Sequence, residues 1–337
     1  MIRFPFGKVY GAAAMAALSI LCSVPAAQAL ETKIFDLPAG MSASTVASGP
    51  DGKLWFTTAR PGALGTLDTA TGAVSTLPLG EKSGPSGLVT DKSANAWIAD
   101  GGQNAILRVN AKTNEITTFP MPQDLGRVNL NTVVFDHDGI LWFTGNGANG
   151  LYGRLDPATG AIKTWKVPRG RGAQGITVTS DNQVWYVSVG SSFIAHVDRA
   201  TGESKIVETT EPAIEPHIIS GDSKGNLWVD LWTSGTLSRY APKTGKWTVW
   251  RVPGAGPPHA FATYVDDKDV AWVIQRSANA VYAFDTAKEK FVDVVIGSKP
   301  EANVRRITGR PGEVWLPEAN TNRIVVVKTG AVKAAAR

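Results

Sequence analysis

The chain has 337 residues and a formal net charge of +5, and it contains no block of Lys and Arg with interleaved aromatic residues, which argues against nucleic acid as a partner. Its single cysteine, Cys22, lies in an N-terminal leader, so the mature chain can form neither a disulfide nor a cysteine-ligated metal site. The length alone would allow two domains, but an unbroken internal repeat favours one.

The first 29 residues have the pattern of a secretory signal peptide. Arg3 and Lys8 flank the start of an apolar stretch over residues 9–21, and an Ala-Gln-Ala cleavage site occupies residues 27–29. We therefore expect export with cleavage after Ala29, and a periplasmic or secreted mature protein. The apolar stretch is short for a membrane span, and no later segment approaches the roughly 18 apolar residues that a span needs.

Seven tryptophans recur along the rest of the chain at spacings of 42, 45, 43, 43, 44 and 43 residues: Trp55, Trp97, Trp142, Trp185, Trp228, Trp272 and Trp315. A period of roughly 40–45 residues with four short strand-like segments per unit is the signature of a β-propeller. The sequence therefore predicts an all-β fold, a seven-bladed β-propeller over residues 30–328, followed by a disordered tail at 329–337. We expect the tryptophans to fill the core between blades.

The seventh repeat lacks a fourth strand of its own. Residues 303–308, 314–316 and 323–327 supply three strands before the polar tail. Residues 32–38, which precede the first inner strand, match outer-strand segments such as residues 247–253. We expect this N-terminal strand to complete the last blade and to pair its exposed edge.

Two positions in each blade should converge on one mouth of the central channel. The first opens the inner strand about eleven residues before the tryptophan and holds Ser44, Ser86, Asn131, Gln174, His217, His259 and Val304. The second begins at the third residue after the tryptophan and holds Thr58, Asp100, Gly145, Ser188, Leu231, Gln275 and Glu318. Most of these residues are polar in otherwise apolar strands, so this mouth is the predicted binding site.

Two histidines stand out at the mouth. His217 and His259 each follow a proline, lie 42 residues apart and should occupy the same place in adjacent blades, which would bring two imidazoles to one rim. The alternative is that Pro-His only shapes a tight entry into each strand.

The charged residues near the mouth leave two further interpretations open. A magnesium or calcium site needs several oxygen ligands, and the acids available for it are Glu215, Asp230, Asp100 and Glu318. Arg305 and Arg306 follow Val304, where other blades have small or apolar residues. An arginine there could hold a carboxylate or phosphate of a ligand, although a salt bridge to a neighbouring blade is the commoner outcome.

The repeated Leu-Trp-Phe-Thr runs, the Gly-Arg-Leu-Asp-Pro-Ala-Thr-Gly segment at residues 153–160 and the two Pro-His motifs resemble the streptogramin B lyase (virginiamycin B lyase) family of seven-bladed propellers. The resemblance covers about the whole mature chain. It implies a magnesium-dependent elimination that linearises a cyclic depsipeptide, in which metal and a histidine polarise the ester, a base removes the α-proton and the alkoxy oxygen leaves. His217 and His259 match the family's two histidines. Where the family has two glutamates, this chain has Pro257 and Gln275-Arg276.

Two functions remain open. In the first, the protein is a lyase-like enzyme that opens a cyclic ester or lactone, with His217 and His259 as catalytic residues and Mg²⁺ held by the acids. In the second, it is a non-catalytic propeller whose rim binds a small ligand, a cell-wall fragment or a protein partner. In both we expect a monomer with a small-molecule ligand at the channel mouth, and the predicted ligand-binding residues are Gln174, Trp232, Gln275, Arg276, Arg305 and Arg306.

Overall fold

A computed structural model of the protein describes residues 30–147, 149–210 and 215–329. These residues form seven four-stranded antiparallel sheets arranged in a ring, which confirms the predicted seven-bladed β-propeller. The predicted signal peptide at residues 1–29 and all but the first residue of the predicted tail at 329–337 lie outside the described residues, and that first residue, Thr329, is buried. Within the described part of the chain, no helix has the length and apolarity needed to cross a lipid bilayer.

The first three blades each contain four strands that are consecutive in sequence. Blade 1 consists of β2 (Ala43–Ser48), β3 (Leu54–Ala59), β4 (Gly62–Leu67) and β5 (Val74–Pro78). Blade 2 consists of β6 (Pro85–Thr90), β7 (Ala96–Asp100), β8 (Ala105–Val109) and β9 (Ile116–Pro120). Blade 3 consists of β10 (Leu130–Phe135), β11 (Leu141–Gly145), β12 (Leu151–Leu155) and β13 (Ile162–Lys166). Two short 3₁₀ helices, at Pro50–Gly52 and Gln123–Leu125, lie between these strands.

Blades 4 to 6 follow the same plan. Blade 4 consists of β14 (Gly172–Val178), β15 (Val184–Val189), β16 (Phe193–Val197) and β17 (Ser204–Glu208). Blade 5 consists of β18 (Pro216–Gly221), β19 (Leu227–Leu231), β20 (Thr236–Ala241) and β21 (Lys246–Arg251). Blade 6 consists of β22 (Ala260–Val265), β23 (Val270–Gln275), β24 (Ala280–Asp285) and β25 (Lys290–Ile296).

Blade 7 is built from both ends of the propeller. Its strands are β26 (Thr308–Arg310), β27 (Glu313–Glu318), β28 (Arg323–Lys328) and, on the outside, β1 (Glu31–Asp36). All six residues of β1 pair antiparallel with β28, from Glu31 opposite Lys328 to Asp36 opposite Arg323. This arrangement confirms that the N-terminal strand closes the ring, and it pairs an edge of β28 that would otherwise be open.

The seven tryptophans of the repeat are all buried, as predicted. In four blades an aspartate six residues earlier accepts a hydrogen bond from the indole N–H, over distances of 3.0, 2.9, 3.0 and 2.8 Å for Asp91, Asp136, Asp222 and Asp266 respectively. The other oxygen of each carboxylate accepts backbone N–H groups of the turn between the two strands. The buried indole N–H therefore has a partner, and the turn is fixed to the tryptophan by one side chain.

Candidate functional site

The first strand of each blade begins at the same channel mouth where the second strand ends. In blades 2, 5 and 6 this is shown by the pairs Pro85–Asp100, Pro216–Leu231 and Ala260–Gln275. A cavity of about 160 Å³ lies at the centre of this mouth, and its polar lining comes from Ser44, Ser86, Asn131, Gln174, Arg305 and Arg306. The structure therefore brings the predicted strand-opening residues of the first four blades, including the predicted ligand-binding residue Gln174, together with both arginines.

The two histidines are not at equivalent positions, contrary to the prediction. Because Pro216 pairs with Leu231 and Ala260 pairs with Gln275, the equivalent of His217 in blade 6 is Phe261. His259 lies two residues earlier, where its carbonyl accepts the N–H of Arg276 as the carbonyl of Glu215 accepts that of Trp232. The two Pro-His motifs are therefore offset by two residues relative to the blades. The position eleven residues before the repeat tryptophan is His217 in blade 5 and Phe261 in blade 6.

Both histidines nevertheless contact the same side chain, Trp232. The His259 ring stacks on Trp232 with 4.2 Å between ring centroids and 5° between ring planes. The His217 ring meets Trp232 edge-on at 5.6 Å and lies 5.1 Å from the Phe261 ring. The guanidinium of Arg276 lies over both Trp232 and Phe261, at 5.9 and 5.4 Å from their ring centroids. The predicted residues His217, His259, Trp232 and Arg276 thus form one cluster at the rim, which we call the aromatic cluster.

His217 is paired with a buried acid. Its Nδ1 lies 3.8 Å from Oδ2 of Asp230, and neither atom has a hydrogen-bond partner within the described residues. Burial lowers the pKa of His217 to about 4, with the positive charges of Arg276 and Arg306 acting in the same direction. Burial also raises the pKa of Asp230 well above its usual range. Above the pKa of His217 and below the raised pKa of Asp230, the pair consists of a neutral imidazole and a protonated carboxyl, so it holds two exchangeable protons and no net charge.

Asp230 occupies a position that is threonine in two other blades. Its Oδ1 accepts the N–H of Ile218 at 2.9 Å, just as the hydroxyls of Thr57 and Thr144 accept the N–H of Thr45 and Thr132. A threonine hydroxyl is therefore enough to accept the backbone N–H of the neighbouring strand at this position, and the second carboxyl oxygen of Asp230 is not needed for the fold. That oxygen is the one that faces His217.

The four predicted metal ligands do not come together. Asp100 accepts Gly84 N–H, Gly102 N–H and Gln103 N–H at 2.9, 3.0 and 2.9 Å, and Glu318 accepts Ser298 N–H and the Thr321 hydroxyl, each at 2.7 Å. Across the described residues there is no group of three or more His, Cys, Asp or Glu side chains that could hold a metal ion.

Magnesium requires several oxygen ligands around one point, and the carboxylate oxygens of Asp100 and Glu318 already accept hydrogen bonds from their loops. Asp230 offers one buried oxygen beside His217, and Glu215 directly precedes β18. The predicted site of Asp100, Asp230, Glu215 and Glu318 therefore does not fit the ion. The loop acids instead hold the turns that follow β7 and β27.

Gln275 was predicted to contact the ligand, but it also holds a loop. Its side chain is buried, its Nε2 donates to the Pro257 carbonyl at 3.3 Å, and its Oε1 accepts the Ser277 N–H at 2.9 Å. The hydroxyl oxygen of Ser277 in turn lies 3.2 Å from Nδ1 of His259. Gln275 thus supports His259 through Ser277 and is not itself part of the cavity lining.

Arg306 crosses the channel from blade 7 to blade 3. Its guanidinium donates to Oδ1 of Asn131 at 2.5 Å and to the Thr132 hydroxyl at 3.1 Å. It lines both the mouth cavity and a second cavity of about 350 Å³ deeper in the channel. Arg306 therefore forms the floor of the mouth, while Arg305 is exposed beside it.

A model of the Virginiamycin B lyase family matches residues 25–281 of this chain. The chain belongs to this family. No curated protein matches it in sequence.

Solved structures of the family share the fold. A streptogramin B lyase structure has a TM-score of 0.79 and 21% identity, with 89% of this chain and 97% of that chain covered. Virginiamycin B lyase from Staphylococcus aureus has a TM-score of 0.80 and 17% identity, with 89% and 99% covered. A catalytically inactive form of the Staphylococcus aureus enzyme with quinupristin has a TM-score of 0.78 and 17% identity, with 88% and 99% covered. At these identities the likeness shows the fold alone.

Sequence reasoning missed three features of this family member's mouth. It assigned Asp230 to a metal and not to His217, and it did not single out Phe261 or the contact of Arg306 with Asn131. Asp230 could have been noticed in the sequence, because it lies two residues after its repeat tryptophan, where blades 1 and 3 have threonine. The contact between Arg306 and Asn131 carried none, since it joins residues 175 positions apart.

Proposed function

We propose that the protein is an exported lyase that opens a cyclic ester by elimination at the channel mouth, with His259 as the base and His217 as the hydrogen-bond donor to the ester. The observation that supports this most is the difference between the partners of two histidines on one tryptophan. His217 faces the buried carboxyl of Asp230, whereas His259 contacts the Ser277 hydroxyl. Two imidazoles with such different partners suit two different roles in the reaction.

In the proposed reaction His259 accepts the proton on the carbon next to a carbonyl. The electrons of that C–H bond form a C=C bond, and the neighbouring C–O bond of the ester breaks so that its oxygen leaves as a carboxylate. When Nδ1–H of His259 donates to the Ser277 hydroxyl, His259 has a lone pair on Nε2 for this step. The proton passes from His259 to water, so substrate and product differ only in ring opening.

His217 has the complementary role. When the protonated carboxyl of Asp230 donates to Nδ1, the imidazole carries its own proton on Nε2 and can donate it to the ester carbonyl. This hydrogen bond would stabilise the negative charge that develops on the departing carboxylate as the C–O bond breaks. Trp232 and Phe261 provide the apolar wall against which a ring-shaped substrate could lie.

Magnesium stays a prediction, and no step above uses it. The experiment is to incubate the protein with quinupristin, the compound present with the crystallised relative, in parallel with added Mg²⁺ and with a chelator. We expect a product of unchanged mass that contains a new C=C bond and a free carboxylate. Equal rates in the two conditions would show that the residues of this chain suffice, and a rate that depends on Mg²⁺ would reveal a metal site formed with the substrate.

Binding without catalysis is the second candidate. It is favoured by one observation, namely that Asp100 and Glu318 are fully used in holding loops and supply no acid to the mouth. In that case quinupristin or a related compound would bind at the mouth and be recovered intact.

A further inference from the structure

The floor of the mouth carries a positive charge that forms no ion pair with an acid of the described residues. Arg306 donates to Asn131 and Thr132, which are both neutral, and it forms no ion pair with a carboxylate among the described residues. A charged group inside a protein is normally paired with an opposite charge, because removal from water is costly. Burial accordingly lowers the pKa of Arg306 to about 10.

Asp230 is the acid whose field opposes this shift, but its oxygens face the Ile218 N–H and His217 and not the guanidinium. Arg306 therefore has no ion-pair partner within the described residues. The other charged groups around the mouth are Arg305, which lines the same cavity, and Arg276, which lies over the aromatic cluster. Glu215 lies before β18 at the rim, and Asp100 and Glu318 are directed into loop hydrogen bonds.

The remaining walls of the cavity are neutral and polar. Ser44, Ser86, Asn131 and Gln174 contribute hydroxyl and amide groups from four successive blades. The space of about 160 Å³ is suited to a small group rather than a whole macrocycle. Hydroxyl and amide donors together with two guanidinium groups are the usual partners of a small oxyanion.

We infer that Arg306 and Arg305 form a carboxylate-binding subsite at the floor of the mouth, beside the aromatic cluster. The ligand class is an organic acid whose carboxylate points into the channel and whose apolar part rests on Trp232 and Phe261. If the proposed elimination takes place, the carboxylate that it releases is such a group, and the inference rests on the proposed function for that identity alone. Binding of an acid at this subsite requires no turnover.

The test uses phenylacetate as the probe and phenylacetamide as its neutral analogue of the same shape, in calorimetric titrations with the parent protein. We expect phenylacetate to bind at least about tenfold more tightly than the amide, because the charge-assisted hydrogen bonds are lost with the amide. Arg306→Gln should remove this preference, and Arg306→Lys should keep part of it. Arg251→Gln, which removes an exposed charge from the outer strand β21, is the matched control and should bind as the parent does.

Equal binding of the acid and the amide to the parent protein, or unchanged binding of the acid to Arg306→Gln, would overturn the inference. If Arg306→Gln fails to fold, the comparison of acid with amide and the exposed-residue variant Arg305→Gln decide the matter. Inorganic phosphate is the third probe, and phosphate binding without phenylacetate binding would also overturn a carboxylate subsite. If phenylacetate binds but quinupristin is not opened, the carboxylate subsite is supported and the proposed function is wrong. If quinupristin is opened but acid binding does not depend on the arginines, the proposed function is supported and the subsite is wrong.

Discussion

Nδ1 of His217 and Oδ2 of Asp230 face one another at 3.8 Å, and each is buried without another hydrogen-bond partner in the described part of the chain. An unsatisfied pair of this kind costs stability, so its presence at the mouth points to a use in function. The equivalent position in blades 1 and 3 holds threonine, which shows that the fold does not need the acid. Asp230 is therefore the residue at which fold and function can be separated by substitution.

Asp230→Thr should fold with a melting temperature equal to or above that of the parent. The threonine hydroxyl can accept the Ile218 N–H as Thr57 and Thr144 do in their blades, and the buried carboxyl is removed. If Asp230 supplies the proton of His217, turnover should fall by about 10²-fold with little change in KM. Circular dichroism melting and steady-state kinetics test this, and a loss confined to KM would assign Asp230 a binding role only.

Asp230→Asn should become more stable relative to the parent as the pH rises. Because the pKa of Asp230 is raised in the folded protein, above its ordinary value of 3.8 the folded state keeps a proton that the unfolded chain releases. The contribution of Asp230 to the unfolding free energy therefore falls with increasing pH until its raised pKa is passed, by up to about 1.4 kcal/mol per pH unit. Urea unfolding of both proteins over a pH series measures the difference, and a difference that is constant with pH would contradict the assignment.

His217 acts in the opposite sense within a narrower window. Its pKa is lowered from 6.5 to about 4, so between these values the unfolded chain gains a proton that the folded protein does not. Its contribution to stability is thus complete above pH 6.5 and is lost as the pH falls toward 4. Between pH 4 and pH 6.5 the stability contributions of His217 and Asp230 therefore change in opposite directions as the pH rises. Above pH 6.5 only the loss of unfolding free energy due to Asp230 should remain.

The closure of the ring depends on the buried face of β1. Phe35 is 5% exposed and packs against blades 7 and 1, whereas its neighbour Ile34 is 47% exposed. Phe35→Ala should lower the unfolding free energy by about 3–5 kcal/mol, and Ile34→Ala by less than about 0.5 kcal/mol. Chemical denaturation of the two variants tests this, since similar effects from both would mean that β1 does not close the ring as the structure shows.

The mature protein should begin at Leu30. The charged start, the apolar stretch over residues 9–21 and the small residues at 27–29 are the basis for this prediction. N-terminal sequencing of the protein recovered from the cell envelope or medium tests it. Intact chains that start at Met1 and remain in the cytoplasm would show that the leader is not a signal peptide.

The fold could be predicted from the sequence because its information is local and repeated. The tryptophan period gives the number of blades, and residues 32–38 match outer strands closely enough to place β1 beside β28. Within the site, the convergence of Ser44, Ser86, Asn131 and Gln174 also follows from that period, since equivalent positions in a ring meet at one mouth.

The rest of the site depends on contacts that cannot be predicted from the spacing of the repeat. His259 was placed by its Pro-His motif, but the residues before β22 shift it by two positions relative to His217. The roles of Asp100 and Glu318 depend on loop N–H groups that their carboxylates accept, and a carboxylate reads the same in sequence whether it holds a loop or a metal. The contact of Arg306 with Asn131 passes through the channel between distant blades.

Turnover of quinupristin by the parent, His217→Ala and His259→Ala proteins is the most direct test of an elimination at this mouth. His137→Ala, which changes an exposed histidine in a turn of blade 3, is the control. We predict a ring-opened product of unchanged mass from the parent and the control, and a loss of about 10²-fold or more in rate from each mouth variant with the fold intact. Ring opening at the parent rate by both mouth variants, or intact quinupristin recovered from the parent, would contradict the proposed reaction.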